Sequence, residues 1–182
     1  MEPGKTIRCF QSSDGRSVLL RTPRWADLDD LLELINSLVE EEAEIYITEK
    51  LNREQEAEWL KKVLSRLERN EVFFVVAEVN KAVVASIDLQ LQSEDEKQIG
   101  VIGVIVKKFY RNMGIGTELM KTVIDYSVRH GLRVLTVNVF STNSRAIHVY
   151  EKVGFAKTET VPKKHFRNGG FVDEVMMQKN VG

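Results

Sequence analysis

The sequence predicts an α/β fold, and three observations carry that prediction. An apolar run from Ile99 to Val106 passes through a glycine-containing turn directly into an amphipathic stretch, which reads as strand, turn and helix in succession. A second unit of the same kind follows, with Val134 to Phe140 as the strand and the residues after Asn143 as the helix. The composition, 43% hydrophobic and 29% charged over 182 residues, suits a globular chain with a sizeable core. No repeat, low-complexity tract or linker interrupts it, and residues 1–182 read as a single domain.

The elements can be justified in order. Ile7 to Gln11 and Ser17 to Arg21 flank Ser12-Ser13-Asp14-Gly15, a hairpin signature. A first helix starts near Ala26-Asp27, and Leu28, Leu31, Leu32, Ile35 and Leu38 supply its buried face. Asn52 with Gln55 three residues on forms a capping box for a second helix, whose apolar rows are Trp59, Val63 and Leu67 beside Leu60 and Leu64. Strands follow at Val72 to Val79, at Ala82 to Leu91 after the Asn80-Lys81 turn, and at Gln98 to Val106. The third helix carries Ile115, Leu119 and Val123 in one row and Met120, Ile124 and Val128 in another, with Gly131 at its C-terminal cap. The last strands, Phe155 to Val161 and Phe171 to Gln178, enclose a basic loop ending in Asn168-Gly169-Gly170.

The turn Arg111-Asn112-Met113-Gly114-Ile115-Gly116-Thr117 is the first candidate site. A helix N-terminus presents backbone N–H groups without intrahelical partners, and the helix dipole favours an anion there. The same glycines also serve tight strand-to-helix packing. A P-loop needs Lys and Ser/Thr after its last glycine, and here Thr117-Glu118 follow. A dinucleotide fingerprint needs a third glycine at position 119, which is Leu.

Some thirty residues on, Asn143 is followed by Tyr150-Glu151-Lys152-Val153-Gly154-Phe155. Together with Arg111-x-x-Gly114-x-Gly116 after a strand ending in Val106, this resembles the GNAT superfamily of acyl-CoA-dependent N-acyltransferases, over roughly residues 6 to 179. The resemblance implies a single-domain GNAT-like fold: a mixed, mostly antiparallel sheet flanked by helices, with a splayed strand pair at the cofactor site. It implies acetyl-CoA as cofactor, bound through Arg111 to Thr117 at the pyrophosphate and the backbone of Val104, Ile105 and Val106 along the pantetheine arm. It also implies Val106 N–H as polariser of the thioester carbonyl, Asn143 as a cofactor contact as well as a helix cap, and Tyr150 as general acid. Tyr150 reads alternatively as a helix-to-sheet packing residue.

One part of the family pattern is missing. Members with a glutamate base carry it on the strand before the turn, and Gln98 to Val106 holds no acid. Asp88, Glu44, Glu49, His165 or a water chain remain open as base. Asp173-Glu174 offers charge to orient an acceptor, or plain edge-strand charge.

Asp27 to Glu58 holds twelve acids against Lys50 and Arg53, although the whole chain carries net −1. The Glu40-Glu41-Glu42-x-Glu44 run would draw a cationic amine acceptor, while its plainer reading is a solvated helix end. His130, His148 and His165 lack metal-ligand spacing, so no metal is expected, and His130 beside Gly131 suits a helix C-terminus. Lys163-Lys164-x-Phe166-Arg167 is too short a cluster, at pI near 6.3, to indicate nucleic acid. Cys9 reads as a small strand-packing residue in a reducing compartment, and no leader or membrane span is evident, so a cytoplasmic protein is expected. The resemblance further suggests pairing of two copies through the last strands. The reading from another function class is a non-catalytic acyl-CoA-binding sensor or interaction module that keeps the cofactor turn without proton-transfer groups.

Overall fold

The computed structural model describes residues 1–91 and 98–182. The chain runs β1 (Thr6–Gln11), β2 (Ser17–Arg21), α1 (Leu28–Glu40), α2 (Arg53–Glu68), β3 (Phe73–Val79), β4 (Ala82–Leu91), β5 (Ile99–Val106), α3 (Ile115–Arg129), β6 (Val134–Phe140), α4 (Ser144–Lys152), β7 (Ala156–Arg167) and β8 (Gly170–Asn180). The strands form one mixed sheet in the order β1-β2-β3-β4-β5-β6-β8-β7. Among the described residues only β5 and β6 are parallel; the other neighbours are antiparallel.

Alternation along each strand divides the side chains between two apolar layers. Ile87, Leu89, Ile102, Val137 and Val139 pack against Ile115, Leu119, Met120 and Val123 of α3 and Ile147 and Tyr150 of α4. Phe74, Val76 and Val83 turn the other way, onto Leu28, Leu31, Leu34 and Leu38 of α1 and Leu60 of α2. Each layer buries side chains that individually contribute about 1.5–3 kcal/mol when fully removed from water.

Local chemistry sets the element ends. Asn52 and Gln55 close the reciprocal capping box of α2, with both N–H···O distances 2.9 Å. Asn80 and Lys81 both have positive φ, the signature of a two-residue hairpin turn matched to strand twist. A buried ion network joins β2 to the start of α1: the Arg21 guanidinium meets Asp27 at 2.6 and 2.7 Å and Glu78 at 2.8 Å, with the side chains of Arg21 and Asp27 each 3% exposed.

Several expectations are corrected. Leu34 rather than Leu32 completes the buried face of α1; Val128 is half exposed on α3, and Trp59 is partly exposed with its ring edge-on to Phe74. The expected basic loop before Asn168 is strand: β7 continues to Arg167, and its register shifts between Val161 and His165. A bulge holds Pro162, which has no N–H to donate, and Lys163, at φ 55°, within the ladder. Cys9 does not pack; it is an exposed free thiol on β1.

Candidate active site

The β5–β6 ladder consists of three pairs, Ile99 with Val134, Gly100 with Leu135 and Val101 with Thr136. Beyond them β5 stays on β4 as far as Val106, while β6 follows β8 to Phe140, so the two parallel strands diverge and a wedge opens through the sheet. Lys107 N–H donates to Val84 at 2.9 Å, which fixes the phase of the β4–β5 ladder. Antiparallel pairing alternates between hydrogen-bonded and non-hydrogen-bonded pairs. Val104 and Val106, opposite Ile87 and Ala85, therefore direct their N–H and C=O groups into the wedge. Ile105 differs, since its polar backbone atoms face Ser86 and its side chain packs in the α1/α2 layer.

At the mouth of the wedge the chain turns from β5 into α3. Asn112 and Gly114 both have positive φ, 61° and 83°, and Gly114 is the N-cap. The first intrahelical bond there is Glu118 N–H to Gly114, 3.0 Å. The N–H groups of Ile115, Gly116 and Thr117 thus lie ahead of the helix ladder, as anion ligands do at helix starts. Gly116 has no conformational need to be glycine, and a Cβ there would meet Val106 Cγ2 only at an ordinary 3.8 Å. Its bareness leaves the helix start open to a group arriving from outside. The β1–β2 turn braces this loop: Ser13 N–H donates to Met113 at 3.2 Å, and the Arg16 guanidinium lies over the Tyr110 ring. Arg111 Nε donates to Val106 O at 3.0 Å, and its guanidinium also pairs with Glu41.

Tyr150 enters from the α3/α4 side, 6% exposed and packed on Phe155. Burial pushes its phenol up to about 12, so it is protonated at neutral pH. No hydrogen bond fixes its hydroxyl among the described residues. Asn143 caps α4, its side chain accepting from Ala146 N–H at 3.1 Å. Val104, Val106 and the turn from Arg111 to Thr117 follow the end of β5, Asn143 follows the end of the parallel β6, and Tyr150 lies in the apolar layer against which Val104 and Val106 pack.

The opposite face joins Glu44, His165 and Glu174, which the sequence offered singly, to Tyr46, which it did not. The α1–α2 connection crosses the wedge mouth as a strap, held on the β5 side by Glu41 with Arg111 and beyond β6 by Glu44 with Thr142. Arg167 Nη1 donates to the carbonyls of Ala43 and Ile45 at 3.2 and 2.7 Å, with its guanidinium over Phe140. Glu174 on β8, 5% exposed, accepts from Tyr46 hydroxyl at 2.8 Å, meets His165 Nε2 at 2.8 Å and pairs with Lys164. Burial opposes charge on Glu174, but donors from Lys164, His165 and Tyr46 outweigh it and hold the carboxyl below the usual glutamate range. Burial, then the Glu174 bond, raises the Tyr46 phenol. Tyr46 left no sequence signal, because its partner is 128 residues away.

The acidic run is largely engaged within the protein, Glu40 with Lys50, Glu41 with Arg111 and Glu44 with Thr142. The basic cluster on β7 is likewise committed, Lys164 to Glu174 and Arg167 to backbone carbonyls. His130 is the C-cap of α3, its Nδ1 2.8 Å from Tyr126 O, and His148 is exposed. Among the described residues no metal-ligating cluster forms, and no helix is long and apolar enough to cross a membrane.

This geometry agrees with three comparisons. The chain is 30% identical over 150 residues, 80% of its own length and 64% of the relative's, to an uncharacterized N-acetyltransferase of Methanocaldococcus jannaschii. It spans between 39% and 66% of the length of the first curated relatives it matches. Its fold superposes on a ribosomal-protein-alanine N-acetyltransferase from Brucella melitensis with TM-score 0.79 at 26% identity, covering 89% of this chain and 99% of that one. The yncA protein of Salmonella typhimurium, solved with its cofactor acetyl-CoA, gives TM-score 0.80 at 21% identity over 91% and 94% of the two chains. The family model described as "Acetyltransferase (GNAT) family" matches residues 31–155, more than half of the sequence, and the chain belongs to that family.

Proposed function

We propose that residues 1–182 form one acetyl-CoA-dependent N-acetyltransferase domain, which delivers an acetyl group to a primary amine by direct attack, without a covalent enzyme intermediate. The acceptor is a small-molecule amine or polyamine, or a protein N-terminal α-amine. The observation that carries this reading is the wedge, which joins free strand edge, helix N-terminus and buried phenol in one notch. The N–H and C=O of Val104 and the N–H of Val106 suit an extended amide-bearing arm, and the Ile115 to Thr117 N–H groups suit a pyrophosphate. These residues fit the cofactor named for the Salmonella protein. Bound acetyl-CoA supplies an activated thioester and a thiolate leaving group.

Each remaining role falls to a group of this chain. Val106 N–H, directed into the wedge, is the donor for oxygen charge, a one-donor oxyanion site. Tyr150 stays protonated through burial and gives its proton to the departing sulfur. Asn143 is held at its cap within the same notch and offers its remaining donors to the pantetheine arm. Arg111 links Val106 O to Glu41, positioning strand end and strap together.

The rival sensor reading draws support from the acid-free sequence of β5. The deciding experiment measures thiol release from acetyl-CoA by the purified protein against polyamines, amino acids, aminoglycosides and peptides with free N-termini, with product mass confirmed. Acetylation of one acceptor class is expected. Saturable acetyl-CoA binding with no acceptor-dependent release across that panel would favour the sensor.

A further inference from the structure

On the α1/α2 face, two oxygen acceptors flank the head of the wedge, Asp88 on β4 and Asn138 on β6. Asp88 on β4 lies opposite Gly103 on β5. A Cβ on Gly103 would stand 2.7 Å from Asp88 Oδ1, so the carboxylate leans over bare β5 backbone and fills the place of a β5 side chain. Val101 and Thr136 are the last β5–β6 pair, and two residues further Gly103 and Asn138 are the next same-face positions across the opening. Asn138 Oδ1 is buried with no hydrogen-bond partner among the described residues. A buried orphan acceptor costs about 1–3 kcal/mol, which a ligand donor would recover.

Resting on the transferase reading, we propose that Asp88 and Asn138 seat the acceptor ammonium across Gly103 and that Asp88 is its base. An ammonium has three N–H donors and no acceptor, which matches a carboxylate facing an amide oxygen. The step is one proton transfer: R–NH3⁺ and Asp88 carboxylate become R–NH2 and Asp88 carboxylic acid, which returns the proton to solvent. The nitrogen loses a second proton on becoming an amide, and the thiolate gains one, so the reaction releases one proton overall. The carboxylate missing from the sequence of β5 is thus supplied over its backbone from β4.

Asp88 suits the role better than the other buried acid nearby. Glu174 is held by three donors that stabilise its charged form, which makes it a weak base. Asp88 has Gln90 Nε2 at 3.1 Å. Burial raises its pKa, with Gln90 and then Arg66 on α2 opposing. The residues opposite it on β3 and β5, Phe74 and Gly103, are uncharged, as is Asn138 on β6.

The test pairs a titration with kinetics. In protein without acetyl-CoA, the Asp88 carboxyl carbon, assigned by its loss in Asp88→Asn, is followed by NMR against pH and n-propylammonium. It is expected to titrate above the ordinary aspartate value and to shift on addition of the amine. With a turned-over acceptor, Asp88→Asn is expected to lower kcat/KM at pH 7 by about 100-fold or more with acetyl-CoA affinity unchanged. Asn138→Ala should raise acceptor KM about tenfold without lowering the melting temperature, since it removes an orphan. If Asp88→Asn fails to fold, the acceptor KM of Asn138→Ala decides, an unchanged value overturning the site. A carboxyl signal blind to the amine, or full turnover in Asp88→Asn, would overturn the site while leaving the transferase intact. An amine-dependent shift in a protein that acetylates nothing would instead remove the transferase reading and keep the amine site.

Discussion

The hydroxyl of Tyr46 donates to Glu174 Oε2 at 2.8 Å and so fastens the α1–α2 strap to β8. Tyr46→Phe removes that bond and keeps the ring against Phe140 and His165. Acceptor KM should rise, with acetyl-CoA affinity within about twofold, and stability should fall by about 1 kcal/mol. Amide exchange between residues 42 and 49 should accelerate; unchanged exchange there would show that the bond does not hold the strap.

Gly116 and Gly114 separate ligand approach from backbone need. Gly116→Ala meets no clash and gains helix propensity, so the melting temperature should hold or rise by the equivalent of about 0.5–1 kcal/mol while acetyl-CoA binding weakens. Gly114→Ala places a side chain at φ 83° and should cost about 1 kcal/mol. Calorimetric binding beside thermal melts reads both, and full acetyl-CoA affinity in Gly116→Ala would remove that residue from the phosphate cradle.

Tyr150→Phe preserves the packing on Phe155 and deletes the acid. Turnover should drop by about ten- to ten-thousand-fold with cofactor affinity nearly intact. An unchanged kcat would return Tyr150 to a packing role.

Arg21→Met leaves the buried carboxylates of Asp27 and Glu78 without their shared cation. A loss of about 3–5 kcal/mol in urea unfolding is expected. A loss below about 1 kcal/mol would mean that water or Arg24, 3.3 Å from Asp27, takes over the pairing.

Glu56 on α2 is 4% exposed, and burial raises its pKa from 4.5 to about 7. The raised folded value means that the unfolded chain ionises first, so stability falls as pH climbs from about 4.5 to 7 and stays reduced above. Glu56→Gln should therefore stabilise the fold by on the order of 2 kcal/mol at pH 8 and by little at pH 4. Equal melting-temperature differences at both pH values would contradict the assignment.

What was legible in the sequence follows from the range of the interactions. β4 and β6 end where their runs end, and the α2 cap is local chemistry between Asn52 and Gln55. Leu32 and Leu34 each sit about 80° from the centre of the α1 stripe at 100° per residue, so periodicity cannot choose between them; the sheet does. Pro162-Lys163-Lys164 has loop chemistry, and a bulge accommodates it inside β7. The wedge groups around Arg111 and Tyr150 had local motifs, whereas Tyr46 with Glu174 and Asp88 over Gly103 exist only through strand register and loop path.

The short β5–β6 ladder makes the sheet mechanically two leaves, β1 to β5 and β6 to β8, meeting at a three-pair hinge. A molecule lodged between them acts as a keystone. Its binding energy adds to the cohesion of the leaves, so saturating ligand at a hundred times Kd raises stability by about 2.7 kcal/mol. Without it, amide protons on β6 and β8 should exchange together before those of β3 and β4.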